Sequence, residues 1–357
     1  MTAPAEHQPK KPAKQEQEPA SKEVTEVAPG VLRVQLPMAF TGLGHVNTYV
    51  LEDSRGAAIV DPGLPGRITF KALQNRLEST GIPLRRIHTV LITHSHPDHF
   101  GSAGVVAERT GAKIVTSSEF RLWWDPDQED IDEDPATEEK SPAQTPFGRP
   151  TPWGGKTYLP PIGRRIAWRA ARLVGRRWFR TPEVSHRLAD GDTISLADRE
   201  WTAMITPGHT EDHLCLFDPE EGVLLAGDHV LPTITPHLSG LIPGDPLSDY
   251  TSSLERMEAL DGVTVALPAH GHPFEDLAGR AAAIRVHHDE RLVQLHGVLV
   301  EQEPAGVTEM SLALFGPKHG HDSLAESETY AHLEHLCIQG RAQRRTVDGI
   351  YQYRSAD

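Results

Sequence analysis

The sequence predicts an α/β protein, because short buried strands alternate with helices along its central part. Residues 100–111 (FGSAGVVAERTG) have the alanine and valine content of a helix, and Gly111 provides its stop signal. Four apolar runs are rich in β-branched residues and bounded by turn residues, which is typical of buried strands. These runs are 87–93 (IHTVLIT), 201–207 (WTAMITP), 223–226 (VLLA) and 263–267 (VTVAL). Each is closely followed by a histidine or an aspartate, so we expect these side chains to gather at one rim.

Residues 1–26, before the first predicted strand, are rich in proline, lysine, glutamine and glutamate. This composition predicts a disordered tail. The stretch lacks the apolar segment of a signal peptide, and no run of about 18 apolar residues predicts a membrane span. The two cysteines, Cys215 and Cys337, cannot form a disulfide framework and fit a reducing compartment, with Cys215 expected in the core. We therefore expect a cytoplasmic protein.

A strand over 57–60 precedes the turn 60–63 (VDPG), and the next predicted strand leads into the most informative segment of the chain. Residues 94–99 (HSHPDH) place three histidines and one aspartate in the pattern His-x-His-x-Asp-His. We expect His94 and His96 on an extended turn, and Asp98 and His99 at the start of the helix. These are the residue types that bind divalent metals.

Three further ligand-type residues each follow an apolar run. They are His209 in 206–210 (TPGHT), Asp228 in 226–229 (AGDH) and His270 in 268–271 (PAHG). The alternative is a solvated polar loop that arose by chance among 20 histidines. Because four separate segments agree, the sequence predicts a metal centre.

This order of motifs resembles the metallo-β-lactamase superfamily over about residues 27–280. The resemblance implies a catalytic domain built as a four-layer αβ/βα sandwich, interrupted by an insert at about 120–185. It implies a first metal held by His94, His96 and His209, a second held by Asp98, His99 and His270, and Asp228 as the bridge between them. It also implies that Asp61 orients a ligand histidine, although a simple turn former explains this residue equally well.

The ligand set indicates the chemistry of the centre. Five imidazoles and two carboxylates without a thiolate suit two zinc ions, with iron or manganese as alternatives. Such a centre keeps a small positive charge and can lower the pKa of bound water to about 7. We therefore expect a metal-dependent hydrolase whose nucleophile is a metal-bridging hydroxide. The resemblance implies that Asp98 is the catalytic proton shuttle.

Departures from related patterns narrow the substrate class. The best-known dizinc β-lactamases have a cysteine where Asp228 stands, flavodiiron proteins an acidic residue where His96 stands, and the long tRNA-maturing nucleases usually a glycine where Pro97 stands. The favoured interpretation is a glyoxalase II-like hydrolase of small thioesters or esters, with an anionic substrate as one option. The alternative is an endoribonuclease acting on single-stranded RNA. A lactonase or a mononuclear-iron persulfide dioxygenase is less favoured, and a net charge of −15 argues against a general nucleic-acid coat.

The predicted insert combines an acidic and a basic segment. Residues 125–139 contain nine acidic residues, and residues 163–180 contain seven arginines at partly helical spacing. Three interpretations stay open: the arginines balance the acidic segment, they cap the active site and bind an anionic substrate, or they contact RNA or anionic lipid. Tryptophans 123, 124 and 153 provide either aromatic surface or support for a cap.

Residues 281–357 are predicted to form a separate C-terminal domain. Helices are expected at 281–302, from Val307 and at 323–339, followed by a hairpin that turns at Asp348-Gly349. This order resembles the winged-helix tail of one branch of the superfamily. Arg341, Arg344 and Arg345 could contact nucleic acid, but a packing module or a homodimer interface is preferred.

Other histidines lie near the metal motifs in sequence. We expect His213 beside a ligand, and His237 as the best of three residues that could reach substrate, the others being His229 and His272. His287 and His288 have no ligand-type partner nearby in the sequence. Packing in the core or at an interface is therefore preferred over a third metal site for that pair.

Overall fold

The structure, a computed structural model, describes residues 14–38, 42–122, 150–155, 180–301 and 304–356. In this part of the chain, two β-sheets carry helices on their outer sides, and a smaller sheet lies at the C-terminal end. The strands are β1 Thr25–Ala28, β2 Val31–Pro37, β3 His45–Asp53, β4 Gly56–Val60, β5 Ile87–Leu91, β6 Lys113–Ser117, β7 Val184–Leu188, β8 Thr193–Leu196, β9 Arg199–Ile205, β10 Leu214–Asp218, β11 Val223–Gly227, β12 Val265–Pro268, β13 Ala305–Gly306, β14 Ala342–Val347 and β15 Ile350–Ser355. The helices are α1 Arg67–Thr80, α2 Pro97–Phe100, α3 Ala103–Thr110, α4 Pro246–Glu258, α5 Leu277–Glu301, α6 Val307–His319 and α7 Ser323–Ile338, with 3-10 turns at Gln15–Gln17 and Leu84–Arg86.

The three sheets follow the chain closely. The first sheet has the order β1-β2-β3-β4-β5-β6-β7, the second β12-β11-β10-β9-β8, and the third β13-β15-β14. The first half of sheet one is antiparallel, whereas β4 to β7 are parallel neighbours. Parallel neighbours need long crossovers, and α1 and α3 lie in two of them.

Three apolar clusters account for the layers of the molecule. One lies between the two large sheets and includes Leu51 and Leu91 of the first sheet and Trp201 and Leu216 of the second. A second cluster packs sheet one against α1 and α3, and a third packs sheet two against the later helices. A sheet that is apolar on both faces must be covered on both. The predicted four-layer sandwich is therefore confirmed.

Strand direction brings the predicted ligand segments to one edge of sheet two. Strand β10 is antiparallel to both β9 and β11, so β9 and β11 run the same way, and β12 is parallel to β11. The ends of these three strands thus point in one direction, where the chain continues to His209, Asp228 and His270. In sheet one, β4 and β5 are parallel and end next to each other, and His94 follows β5. The predicted gathering at a rim has this simple topological cause.

The N-terminal segment differs from the sequence prediction of a disordered tail over 1–26. Within the described residues, 14–24 lie along the protein surface before β1 begins at Thr25. Glu16 is fully buried and accepts hydrogen bonds from the backbone nitrogens of Thr233 (2.8 Å) and Ile234 (3.1 Å). The composition indicated disorder, but it could not indicate a buried carboxylate that receives donors from a distant loop. Residues 1–13 lie outside the described part of the chain.

The C-terminal elements agree with the predicted three helices and a hairpin, but they share a core with the catalytic part. Helix α5 starts at Leu277, four residues earlier than expected, and packs against α4. Leu333 and Leu336 of α7 are fully buried in the same cluster as Leu224 of β11. Each such leucine stabilises the fold by about 1.5–3 kcal/mol. The resemblance to a winged helix stays a prediction.

Most of the predicted insert, including its basic segment and tryptophans 123 and 124, lies outside the described residues. Trp153 is described and buried, and its Nε1 donates to Glu326 Oε2 of α7 (3.3 Å). The Trp153 carbonyl accepts from Tyr351 N (2.9 Å). Residues 150–155 therefore dock on the C-terminal elements, which favours the supporting role for this tryptophan over a surface role. In the described residues, no helix is both long and apolar enough to cross a membrane.

Candidate metal centre

The segment after β5 folds as the sequence predicts. His96 is the N-cap residue of α2 in an extended conformation (φ −79°, ψ 143°), and Pro97 follows at the first helical position. Proline suits this position because it lacks an N–H and its φ is already helical. Asp98 and His99 consequently occupy the first turn of a helix. Because His94 and His96 are two residues apart on the segment before α2, both side chains can point at one centre.

The structure brings the seven predicted ligands together in two groups. In the first group, Nδ1 of His96 lies 3.0 Å from Nε2 of His94 and 3.0 Å from Nε2 of His209. Asp228 Oδ2 lies 3.9 Å from His94 Nε2 and 3.6 Å from His209 Nε2. Donor atoms that bind one zinc at about 2.0–2.1 Å must lie about this close to one another. This group can hold one metal ion.

The second group shares the same aspartate. Asp98 Oδ2 lies 3.5 Å from Nε2 of both His99 and His270. Asp228 Oδ2 is 3.5 Å from His99 Nε2, and its Oδ1 is 3.4 Å from His270 Nε2. Asp228 therefore faces both groups, which is the arrangement expected of a bridging carboxylate.

Unpaired buried atoms test whether a cation fits this site. His99 Nε2, His270 Nε2 and Asp228 Oδ1 are buried and have no hydrogen-bond partner. Unpaired buried polar atoms are costly, by about 1–3 kcal/mol each, and a divalent ion would satisfy all three at once. The donor set of imidazole and carboxylate is the one that zinc prefers. The residues present thus fit a bound metal.

Burial and local charge shift the pKa values of the ligands in opposite directions. Burial, reinforced by the nearby ring of His209, lowers the pKa of His96 to about 3. Burial also disfavours the charged form of His270, but the carboxylates of Asp228 and Asp98 outweigh it and raise the pKa of His270 to about 10. The two carboxylates thus attract a positive charge. A metal ion that takes this place must displace protons, so its binding strengthens as the pH rises.

Asp61 holds His99 from outside the ligand group. Its Oδ2 accepts from His99 Nδ1 (2.8 Å) and Thr93 Oγ1 (2.7 Å), and its Oδ1 accepts from Thr93 N (2.9 Å). Asp61 also has a left-handed backbone conformation (φ 53°) directly after β4. The geometry is compatible with both interpretations: Asp61 forms the turn, and its carboxylate is placed to fix the ring of His99, a predicted ligand.

Two other ligand rings are fixed by backbone carbonyls. His209 Nδ1 donates to the carbonyl of His237 (2.7 Å), and His270 Nδ1 donates to the carbonyl of His45 (2.6 Å). The His45 ring in turn accepts from Gly271 N (3.1 Å). The sequence analysis missed His45 entirely, because a carbonyl acceptor has no signature in residue type.

His213 lies against the bridging aspartate, as predicted. Its Nε2 accepts from Asp228 N (3.0 Å), and its Nδ1 pairs with Thr206 Oγ1 (2.8 Å). Gly227 allows this approach, because a Cβ at that position would lie 2.6 Å from His213 Nε2. Its φ of 51° would also strain any residue with a side chain. His213 therefore fixes the backbone of the bridging residue.

The sequence suggested that His229 and His272 could reach substrate. The structure contradicts this for His229 and gives His272 a different partner. His229 is fully buried and packs edge-on against the ring of Tyr250, so it has no access to a substrate. His272 is half-exposed, but its Nε2 pairs with Glu18 Oε2 (2.8 Å) of the N-terminal segment. Of the three, only His237 keeps a partly exposed side chain close to a ligand, with Glu328 as its neighbour.

A second histidine cluster lies between α5 and α7, and we call it the α5–α7 cluster. It comprises His288, Glu328 and His332, whose potential ligand atoms all lie within 4.8 Å of one another. His288 and His332 are buried, with His288 Nδ1 3.0 Å from His332 Nε2. The sequence analysis found no partner near His288, because both partners come from a helix about forty residues later. Its preference for core packing is compatible with this burial.

Comparisons with known proteins were consistent with this geometry. A family model described as the metallo-beta-lactamase superfamily matches residues 41–270, which include all seven predicted ligands. The chain is 24% identical over 321 residues to "Probable metallo-hydrolase YqjP" of Bacillus subtilis, covering 86% of this chain and 92% of that protein. It is 31% identical over 137 residues to a hydroxyacylglutathione hydrolase of Maricaulis maris, covering 38% of this chain and 51% of that protein.

Two solved structures resemble nearly the whole chain. Metallo-beta-lactamase family protein TTHA1429 from Thermus thermophilus has a TM-score of 0.71 and 28% identity, covering 92% of this chain and 100% of that one. A beta-lactamase domain protein from Burkholderia ambifaria has a TM-score of 0.70 and 26% identity, covering 94% and 96%. The structural likeness thus extends beyond the residues that the family model matches.

Proposed function

The chain belongs to the metallo-β-lactamase superfamily and is a metal-dependent hydrolase, and on this premise we propose that it cleaves small thioesters or related esters with two zinc ions bound. The observation that carries the proposal is the paired ligand site. Two groups of donors share Asp228, and none of the seven donors is a thiolate. A carboxylate that faces both donor groups supports two metal ions, because a single metal ion would need the donors of only one group.

The chemistry of the reaction divides between the metals and the protein. Two bound zinc ions would lower the pKa of water to about 7 and polarise the scissile carbonyl. Asp98 has the more exposed side chain of the two carboxylates, 15% against 8% for Asp228. We assign Asp98 to the transfer of a proton between substrate and solvent. Asp228 is more enclosed, and its backbone N–H donates to His213 Nε2. We therefore assign Asp228 to holding the two ligand groups in a fixed relative position.

Three observations favour an acyl substrate over RNA. The relative from Maricaulis maris is a hydroxyacylglutathione hydrolase, and such an enzyme cleaves a thioester. Among the arginines that could contact RNA, Arg344 is already occupied, because its guanidinium pairs with Glu334 and lies 4.3 Å from the ring centre of Tyr351. The net charge of −15 also repels a phosphate backbone.

The test is turnover by zinc-loaded protein on two substrates in parallel. The first is a panel of acyl-glutathione and acyl-coenzyme A thioesters, and the second is a fluorescently labelled single-stranded RNA. His94→Ala is the blank, because it removes one donor of the first ligand group. His186→Ala is the matched control, because His186 is an exposed histidine on β7, outside the ligand set.

We expect thioester cleavage that is lost in His94→Ala and kept in His186→Ala. RNA cleavage with the same dependence on His94 would contradict the proposed substrate class and favour an endoribonuclease. Thioester cleavage that survives in His94→Ala would contradict the metal-dependent mechanism itself.

A further inference from the structure

The loop that carries His237 connects the metal centre to the C-terminal helices. Residues 228–245 join β11 to α4 and form no regular helix or strand within this described stretch. The His237 carbonyl in this loop accepts the Nδ1 proton of the ligand His209 (2.7 Å). Because no ladder or helix holds the loop, side-chain contacts must determine where that carbonyl lies.

Helix α7 supplies those contacts. Glu328 Oε2 lies 3.5 Å from His237 Nδ1. Three residues further on, Gly240 N donates to Ser327 Oγ (3.1 Å). A Cβ at position 240 would lie 2.5 Å from the Ser327 carbonyl oxygen, so glycine lets the loop lie directly on the helix. Leu238, between these contacts, is fully buried. Residues 237–240 of the loop are therefore docked on α7.

The carboxylate of Glu328 is itself held in place. Arg291 of α5 donates from its Nη1 to Glu328 Oε1 (2.7 Å), and Arg291 Nε donates to His287 Nε2 (2.8 Å). The Glu328 side chain is only 12% exposed. Burial alone would raise its pKa, but His237 and Arg291 lower the pKa of Glu328 to about 2. The carboxylate is therefore charged at neutral pH, and Arg291 fixes its position from the C-terminal side.

We propose that Glu328 is a positioning residue for the metal centre, which it serves by holding His237 so that the His237 carbonyl fixes the ring of His209. The inference rests on the proposed two-metal site. On this proposal, helices α5 and α7 contribute to the active site through Arg291 and Glu328. Partners of ligand histidines typically change metal affinity by about 10–100-fold. Since Glu328 acts one step further out, we expect about tenfold.

The experiment measures zinc affinity rather than activity. Wild-type protein, Glu328→Gln, His237→Ala and the double variant are titrated with zinc against a chromophoric chelator at constant pH. Each single variant should bind one of its two zinc ions, the one held with His209, about tenfold less tightly, and the double variant should be no weaker than either single one. This lack of additivity follows because both changes release the same loop.

Glu334→Gln is the matched control, because Glu334 also lies on α7 but pairs with Arg344 and Tyr353 of the small sheet. Its zinc affinity should stay within about twofold of wild type. Wild-type affinity in Glu328→Gln, or a double variant weaker by the product of the single effects, would overturn the proposal. Should Glu328→Gln not fold, Glu328→Asp keeps the charge and takes its place. A wild-type protein that binds no zinc would instead refute the proposed function.

Discussion

Two histidine clusters occur in the described residues, and they differ in what satisfies their nitrogen atoms. In both clusters, two imidazole nitrogens approach to 3.0 Å. In the metal centre, His99 Nε2 and His270 Nε2 face carboxylate oxygens but have no hydrogen-bond partner. In the α5–α7 cluster, His332 Nδ1 donates to the Glu328 carbonyl (2.7 Å), which leaves its Nε2 free to accept from His288 Nδ1. His288 Nε2 is buried without a hydrogen-bond partner, so this cluster leaves one imidazole nitrogen unpaired, whereas the metal centre leaves two.

The charges around the two clusters differ in the same sense. The metal centre contains two carboxylates, Asp98 and Asp228, and no basic side chain among its seven ligands. The carboxylate of the α5–α7 cluster, Glu328, is already bound to the guanidinium of Arg291. A second cation would therefore meet a repelling charge there. Since each cluster contains an unpaired imidazole nitrogen, the comparison indicates that close ligand-type residues also need net negative charge to define a metal site.

The sharpest test of the comparison replaces single ligand-type residues in each cluster. His94→Ala and Asp228→Asn should lose zinc and reduce turnover at least about a thousandfold, because the metal-activated water is lost. His288→Ala should keep both zinc ions and most of its turnover. Zinc content is measured by atomic absorption after gel filtration. Full turnover in Asp228→Asn, or a loss of zinc in His288→Ala, would break the distinction.

A smaller effect is expected at Asp61, which has a structural counterpart outside the site. Asp61 Oδ2 binds His99 Nδ1 at 2.8 Å, and Asp53 Oδ2 binds His88 Nε2 at 3.0 Å. Asp61→Asn should weaken zinc binding about 10–100-fold, since an amide NH₂ replaces one of the two oxygens that accept three hydrogen bonds from Thr93 and His99.

Asp53→Asn is the control for this experiment, because its carboxylate is as deeply buried but its histidine is not a ligand. It should reduce thermal stability and leave zinc affinity unchanged. Equal zinc affinity in the two variants would mean that Asp61 acts only as a turn former.

The α5–α7 cluster should instead be visible in stability. His288→Ala leaves a cavity beside Tyr250 and removes the partner of His332 Nε2. We expect a loss of about 2–4 kcal/mol in the free energy of unfolding, measured by urea denaturation with zinc present. A loss below about 0.5 kcal/mol would mean that the cluster is not part of the packed core.

The sequence predicted the metal centre far better than the rest of the molecule, for a physical reason. Its ligands are chemically distinctive side chains placed directly after buried strands, and parallel strand ends lie at one edge. His94, His209 and Asp228 could thus be assigned without coordinates. The acceptors that orient these ligands include the carbonyls of His45 and His237. Every residue has a carbonyl, so residue type does not reveal which ones are used.

Long-range contacts account for the remaining differences. Glu16 looked like part of a charged, disordered tail, yet it is buried against residues 233 and 234. His288 looked isolated, because His332 and Glu328 are distant in sequence and become neighbours only when α7 packs on α5. In the same way, the sequence predicted a separate domain from residue 281, where a series of helices and a hairpin begins, whereas the apolar core continues across that position. Local patterns predict elements well, but they do not contain this pairing information.

The last expected effect is a dependence of the free energy of unfolding on pH. Burial lowers the pKa of His288 to about 3 and that of His332 to about 4, from 6.5. Between pH 6.5 and 4, the unfolded chain therefore binds protons that the folded chain does not. Stability from this pair is complete above pH 6.5 and falls by about 1.4 kcal/mol per pH unit for each histidine as the pH decreases.

The double variant His288→Leu/His332→Leu isolates this contribution. Replacing both partners with apolar side chains should change stability little at pH 7.5, because no unpaired polar group remains. At pH 5, the variant should be more stable than wild type by about 4 kcal/mol, since it has no buried imidazoles that resist protonation over the 1.5 pH units below 6.5. Urea unfolding is measured in both proteins with a chelator present, so that the metal ligands contribute equally. Parallel stability curves between pH 7.5 and 5 would show that the α5–α7 histidines bind protons equally in the folded and unfolded chains, and the contrast between the two clusters would then fail.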